Sequence, residues 1–285
     1  MPTINRQTTR KPPTQRLKES VIDRIAPIGF SPDDGIRILL YGRSGTGKTT
    51  LWATFPGPIL AVVCSGGQRP GELRSVDTSE YRKKISQVAL ESTTEFGQLI
   101  EHARESDRFS TVVLDHASGL QDLTLKEILG LDRLPAQKGW GMATQQQYGQ
   151  SSLMCKETFR DLLSLECNVV IIAQERTFGD DNNTSELLAP TVGAALTPSV
   201  TGWLGPACDY VCNTYIRPKM EQTRTKVGDK EIIGQKRGKG VEYCLRVEPH
   251  DVYMTKFRVP KGSVGLRDIV DPTFAKIQKL IQGGQ

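Results

Sequence analysis

Four short apolar runs recur along the first two thirds of the chain: Ile36–Tyr41, Ile59–Val63, Thr111–Asp115 and Asn168–Ala173. Each is too short for a helix, rich in branched side chains and almost without polar alternation, the pattern of strands buried on both faces. Amphipathic stretches separate them. One helix is predicted from about Lys48 to Phe55-Pro56, and Ser92 with Glu95 forms a capping box that opens a second through Arg104. A third spans about Leu120 to Leu129, and Thr144 with Gln147 caps a fourth that runs to about Leu165. Strands alternating with helices predict a parallel sheet covered on both faces.

The texture changes after residue 207. Runs at Tyr210–Ile216, Val241–Val247 and Val252–Val259 predict antiparallel strands, with the polar segment between the first two as a long hairpin loop. Asp271 followed by Pro272 reads as an N-cap and first helical position, starting a terminal helix through Ile281. Residues 1–30 carry Pro2, Pro12 and Pro13 with little periodicity, so an extended arm with one short helix near Leu17–Ile25 is expected. The division is therefore a basic arm over 1–30, an α/β core over 31–207, and a C-terminal part over 208–285 that continues the same sheet.

With 285 residues, 37% hydrophobic and 24% charged, the chain has the balance of a globular protein with a real core. No run approaches the ~18 consecutive apolar residues of a membrane span, and the N-terminus has no secretory apolar segment. Three histidines and six scattered cysteines (Cys64, Cys155, Cys167, Cys208, Cys212, Cys244) argue against a metal cage and for buried thiols in a reducing cytoplasm, the host's if the source is viral. The net charge of +5 is unevenly spread. Arg6, Arg10, Lys11, Arg16 and Lys18 precede the first acidic residue, Glu19. Arg217, Lys219, Arg224, Lys226, Lys230, Lys236, Arg237 and Lys239 face only Glu221, Asp229 and Glu231. Both segments suit a polyanionic partner.

The most specific signal follows the first strand. Gly42-Arg43-Ser44-Gly45-Thr46-Gly47-Lys48-Thr49 is a full phosphate-loop motif, followed by Thr50 and the start of a helix. Glycines let successive amides face one concavity, Lys48 reaches the terminal phosphates of a nucleoside triphosphate, and the Thr49 hydroxyl ligates Mg²⁺. Asp115, ending a strand expected to lie next to that of the loop, is the second candidate Mg²⁺ ligand. Gln174, ending the following strand at the same sheet edge, can touch the γ-phosphate or orient water.

Gly42 to Thr50, Val112 to Ser118 and Val170 to Gln174 resemble the core motifs of RecA-type P-loop ATPases. Thr54-Phe55-Pro56, Gly139-Trp140 and Tyr253 to Arg258 are similar to phage-encoded RecA-like ATPases of single-strand annealing and recombination. The resemblance spans roughly Ile36 to Ile281. It implies ATP and Mg²⁺ at a subunit interface, a ring or filament of copies, and single-stranded DNA as ligand. A single-strand-binding or other replication protein is a further implied partner. Loops at Asp132–Gly149 and Glu175–Pro198 would line the DNA path, with Trp140, Tyr148 or Phe178 available for base stacking. Lys256 and Arg258, alternating along a strand, would act as fingers on a neighbour's nucleotide.

One departure bears on chemistry. Such enzymes place a glutamate base at the tip of the strand after the loop, where this chain has Val63-Cys64-Ser65-Gly66-Gly67. Thiols and hydroxyls accept a proton from water poorly near neutral pH. Glu175, beside Gln174, is the favoured substitute, with Glu72 and His116 as others, and turnover is expected to be slow. Two other classes fit the motif: a nucleotide-gated interaction protein, such as a helicase loader or packaging accessory, and a small-molecule kinase. Stimulation of turnover by single strands separates the first from an ATPase acting on DNA, and phosphorylation of a nucleoside monophosphate would identify the second.

Overall fold

The computed structural model describes residues 35–64, 72–106, 108–131, 143–179, 191–227, 230–259 and 265–283. The expected arm over 1–30, the polar stretch Asp132–Gly141 with Trp140, and Ser65–Gly67 lie outside them. In chain order the described elements begin with β1 (Arg37–Gly42), α1 (Lys48–Trp52), β2 (Ile59–Val63), a 3-10 turn (Glu72–Val76), α2 (Ser79–Arg82) and β3 (Ile85–Ala89). They continue with α3 (Thr93–Ser106), β4 (Thr111–Asp115), α4 (Ala117–Leu129), α5 (Gln145–Leu163) and β5 (Asn168–Ala173). Then come β6 (Glu175–Phe178), β7 (Thr191–Ala194), α6 (Pro198–Ala207), β8 (Tyr210–Val227), β9 (Lys230–Arg246), β10 (Lys256–Phe257), β11 (Ile269–Val270) and α7 (Phe274–Ile281).

One sheet has the order β11–β9–β8–β1–β5–β4–β2–β3, with β10 paired to the start of β8; β6 and β7 form a separate hairpin. From β8 to β3 the strands run parallel. Strand side chains alternate between faces, so the buried strands feed two cores. On one face Leu39, Tyr41, Leu114 and Ile171 meet Phe96, Leu120, Phe159 and Leu204 from helices α3 to α6. On the other Ile38, Leu40, Val170 and Ile172 meet Leu51, Trp52 and Phe55 and, from α7, Ile277 and Ile281. The core is that of a P-loop NTPase: a mostly parallel sheet with helices on both faces.

The C-terminal part departs from expectation in three ways. Helix α6 carries the chain back across one face, and β8 therefore enters parallel to β1, with Ile38 beside Tyr210 and Gly42 beside Thr214. It is antiparallel only to β9 and β10. The basic segment is a paired ribbon, not a loop. Pairing runs from Asn213 with Arg246 to Val227 with Lys230, interrupted once between Pro218 and Met220. A ladder satisfies the backbone without apolar side chains, and the irregularity falls beside a proline that has no N–H to donate. At the terminal helix, Thr273 is the N-cap, its hydroxyl accepting from Lys276 N, whereas Asp271 sits at φ 47°. Pro272 therefore precedes the cap.

Candidate functional site

β1 brings the chain to the carboxyl edge of the sheet at Gly42, flanked by β5 and β8. Glycine is required here by crowding: a Cβ would lie 2.3 Å from the Thr214 carbonyl oxygen and 2.4 Å from its hydroxyl. Gly45 and Gly47 take φ of 80° and 85°, a region costly for residues with side chains. Thr46 holds the loop from inside, its hydroxyl 2.8 Å from Arg43 O and 2.7 Å from the Thr214 hydroxyl. Arg43, Ser44, Gly45 and Thr50 are exposed, while Thr46 and Lys48 are buried.

Lys48 Nζ donates to the carbonyls of Gly42 and Arg43, both at 2.7 Å. Burial lowers its pKa, and the negative charges of Asp115 and Glu175 oppose that shift. Gly47 caps α1 with no side-chain hydrogen bond, and the first turn has no acidic residue. A buried ammonium, two left-handed glycines and a helix start that no carboxylate occupies make a donor set that suits a polyphosphate.

Asp115 does not end the strand beside β1. β5 lies between β4 and β1, its residues 169–173 buried at the centre of the sheet. Two strand spacings of about 4.8 Å separate Asp115 from the loop strand, and Trp52 spans part of that gap. Its indole Nε1 donates to Asp115 Oδ2 at 3.3 Å. Burial pushes the Asp115 carboxyl above the usual range, opposed by that hydrogen bond and by His116 and Lys48. Thr49 is half-buried one residue past Lys48; its hydroxyl and the Asp115 carboxyl are oxygen groups of the kind a hard cation takes. His116 caps α4, its Nδ1 accepting from Gly119 N at 3.0 Å. In the neutral ring the proton then sits on Nε2, which leaves no free lone pair to accept another.

Alignment of Tyr41 with Ala173 sets half-buried Gln174 beside Gly42. The chain then turns into β6, where Glu175 reaches the loop itself. Its Oε1 accepts from Arg43 Nε at 2.7 Å and its Oε2 from Asn213 Nδ2 at 3.5 Å. Asn213 Oδ1 in turn accepts from Arg246 Nη1 at 3.0 Å, and the Arg246 guanidinium stacks 3.9 Å from the Tyr253 ring and 4.4 Å from that of Tyr215. Part of the expected loop Glu175–Pro198 is thus the β6–β7 hairpin, with Phe178 half-buried at its end; Asp180 to Asn183 lie outside the described residues.

Lys256 and Arg258 are not brought to this site. β10 pairs with Tyr210 and Val211, at the end of β8 remote from Gly42. Lys256 Nζ caps α6 through the carbonyls of Pro206 at 2.8 Å and Cys208 at 2.6 Å, and Arg258 Nη1 donates to Asp209 Oδ1 at 2.7 Å. Burial lowers the Lys256 pKa. None of the six cysteines is in a disulfide, five of them are buried, and among the described residues no group of three or more His, Cys, Asp or Glu is placed to hold a metal. No helix among those residues is long and apolar enough to cross a membrane.

Trp52, Thr214 and Asn213 are site residues that sequence reading passes over. Trp52 had a signal in its spacing, one turn after Lys48 on the same face. The polar pair Asn213-Thr214 breaks an otherwise apolar strand run, a visible oddity whose meaning depends on pairing with β1.

No curated protein matches the chain. Residues 34–259, however, match the AAA domain. That span takes in the loop, the Asp115 strand and the root of the ribbon together, and the chain therefore belongs to the AAA domain family, whose core is a P-loop nucleotide-binding ATPase.

Proposed function

We propose that this chain binds ATP with Mg²⁺, hydrolyses it slowly, and couples that cycle to single-stranded DNA in phage-type recombination or strand annealing. The observation that carries the reading is the loop itself: a buried Lys48 held on the Gly42 and Arg43 carbonyls, left-handed Gly45 and Gly47, and Glu175 hydrogen-bonded to Arg43. In this reading Lys48 and the amides of residues 43–50 hold the phosphates. Thr49 and Asp115 hold the cation, which when bound neutralises charge on the phosphates. Gln174 orients water, and Glu175 accepts its proton once Arg43 turns toward phosphate. The motif resemblance and the basic ribbon beside the loop support DNA as the ligand, and self-association into a ring or filament follows from the same resemblance. Lys256 and Arg258 would have to leave their own carbonyls and Asp209 to serve a neighbour.

A second reading keeps the nucleotide but drops useful turnover: a nucleotide-gated interaction protein such as a loader. The Arg43–Glu175 pair favours it, since it directs the carboxylate at the guanidinium and away from a water. One assay separates the two. Phosphate release is measured with and without single-stranded oligonucleotide across a salt series. The first reading expects stimulation that fades as salt rises. Turnover that ignores DNA at every salt concentration sinks it in favour of the second.

A further inference from the structure

The ribbon that flanks the loop carries a row of apolar side chains on one face. β8 pairs with Gly42 through Thr214 and runs on to Val227, projecting roughly 40 Å past the carboxyl edge at about 3.3 Å per residue. Along this first stretch Thr214 pairs with Leu245 and Ile216 with Tyr243, and strand alternation puts Thr214, Ile216, Tyr243 and Val241 on a common face. It is the face covered by α1 and α7, since Leu245 packs in the same core as Leu51 and Ile277. Thr214 is consumed in holding Thr46. Beyond it the row becomes accessible: Ile216 is 48%, Tyr243 43% and Val241 50% exposed.

Tyr243 also touches the loop. A Cβ on Gly47 would stand 3.1 Å from Tyr243 Cδ1, so the ring edge lies against the last glycine before Lys48. The backbone behind it is fixed, with Asp271 N donating to Tyr243 O at 2.7 Å and the strand paired to β8. A rigid aromatic ring, apolar neighbours and a place beside the phosphate cradle form a shelf for a flat heterocycle.

We propose that Tyr243 is the nucleobase-stacking residue of this site, with Ile216 and Val241 extending the apolar surface under the base. The proposal rests on the nucleotide reading above and assigns the part of the ligand that the phosphate loop leaves undetermined. Stacking on an aromatic ring tolerates any base, because each has a π-face. Tyr243 therefore contributes affinity for the base as such, and not discrimination among bases through hydrogen bonds.

The test titrates full-length wild type, Tyr243→Ala and Tyr243→Phe with two probes in Mg²⁺: ATP, and inorganic tripolyphosphate, which has no base. The proposal expects wild type to bind ATP more tightly than tripolyphosphate. Tyr243→Ala should weaken ATP about ten- to a hundredfold, the size carried by aromatic–base stacking, and leave tripolyphosphate unchanged. Tyr243→Phe should hold ATP near the wild-type value. Tyr243→Ala binding ATP like wild type overturns the assignment, as does equal weakening of both probes, which would make the ring a prop for the loop. Wild type that binds neither probe refutes the nucleotide reading itself, a separable outcome.

Discussion

The side chains around Lys48 divide the labour by burial. Asp115 is held in apolar surroundings against Trp52, a place that disfavours its charged form. A carboxyl whose native pKa lies above its unfolded value near 3.8 binds protons more readily when folded. Its contribution is fully present below that unfolded value and is lost as pH rises through the native one. Asp115→Asn should therefore raise the nucleotide-free protein's urea midpoint at pH 7 and flatten its decline between pH 4 and neutrality. A midpoint lower than wild type at pH 7 contradicts this account of Asp115. Glu175 is the other carboxylate of the site, and the proposal that it is the base predicts that Glu175→Gln slows turnover by roughly 10²–10⁴ while ATP affinity stays within threefold. Unchanged turnover places the base elsewhere. These residues were unequally legible. Lys48 and Thr49 follow from motif spacing, and Asp115 from ending an apolar run. The Arg43–Glu175 pair joins positions 132 residues apart, and no local pattern announces a partner at that range.

Elements built from local signals match expectation: β2 and β4 have the predicted ends, and Thr144 with Gln147 forms the full capping box of α5. Elements set by distant partners do not. β3 exposes three of its five residues, carries Ser86 and Gln87 side by side without alternation, and exists because β2 offers it an edge. The ribbon arms read as loop because polar residues fill them, although their pairing is nearly continuous. The terminal helix separates two readings of one sequence. Thr273→Ala should cost about 1 kcal/mol by loss of a cap, whereas Asp271→Asn should cost little, since Asn tolerates positive φ. Thermal melting that ranks them the other way restores Asp271 as the cap. For the ribbon, replacing Lys219–Gly240 by Asn-Gly between paired Pro218 and Val241 removes seven cations and three anions and keeps Tyr243. ATP affinity should hold, while affinity for single strands should fall with a shallower salt dependence. An unaltered salt slope would remove the ribbon from the DNA path.

Across the whole molecule, the sheet separates two tasks. Its centre, buried on both faces, fixes the loop, Asp115 and Gln174 at one edge, and its C-terminal strands extend from that edge as a basic ribbon. Thr214 of β8 and Glu175 of β6 are both hydrogen-bonded to loop residues. Calorimetric titration of the full chain with ATP and Mg²⁺, wild type beside Lys48→Ala, probes the claim on which the rest depends. The account predicts saturable binding near one ATP per chain, weakened at least a hundredfold by the substitution. Wild type that takes up no ATP, or a Lys48→Ala protein that binds it equally well, would contradict it.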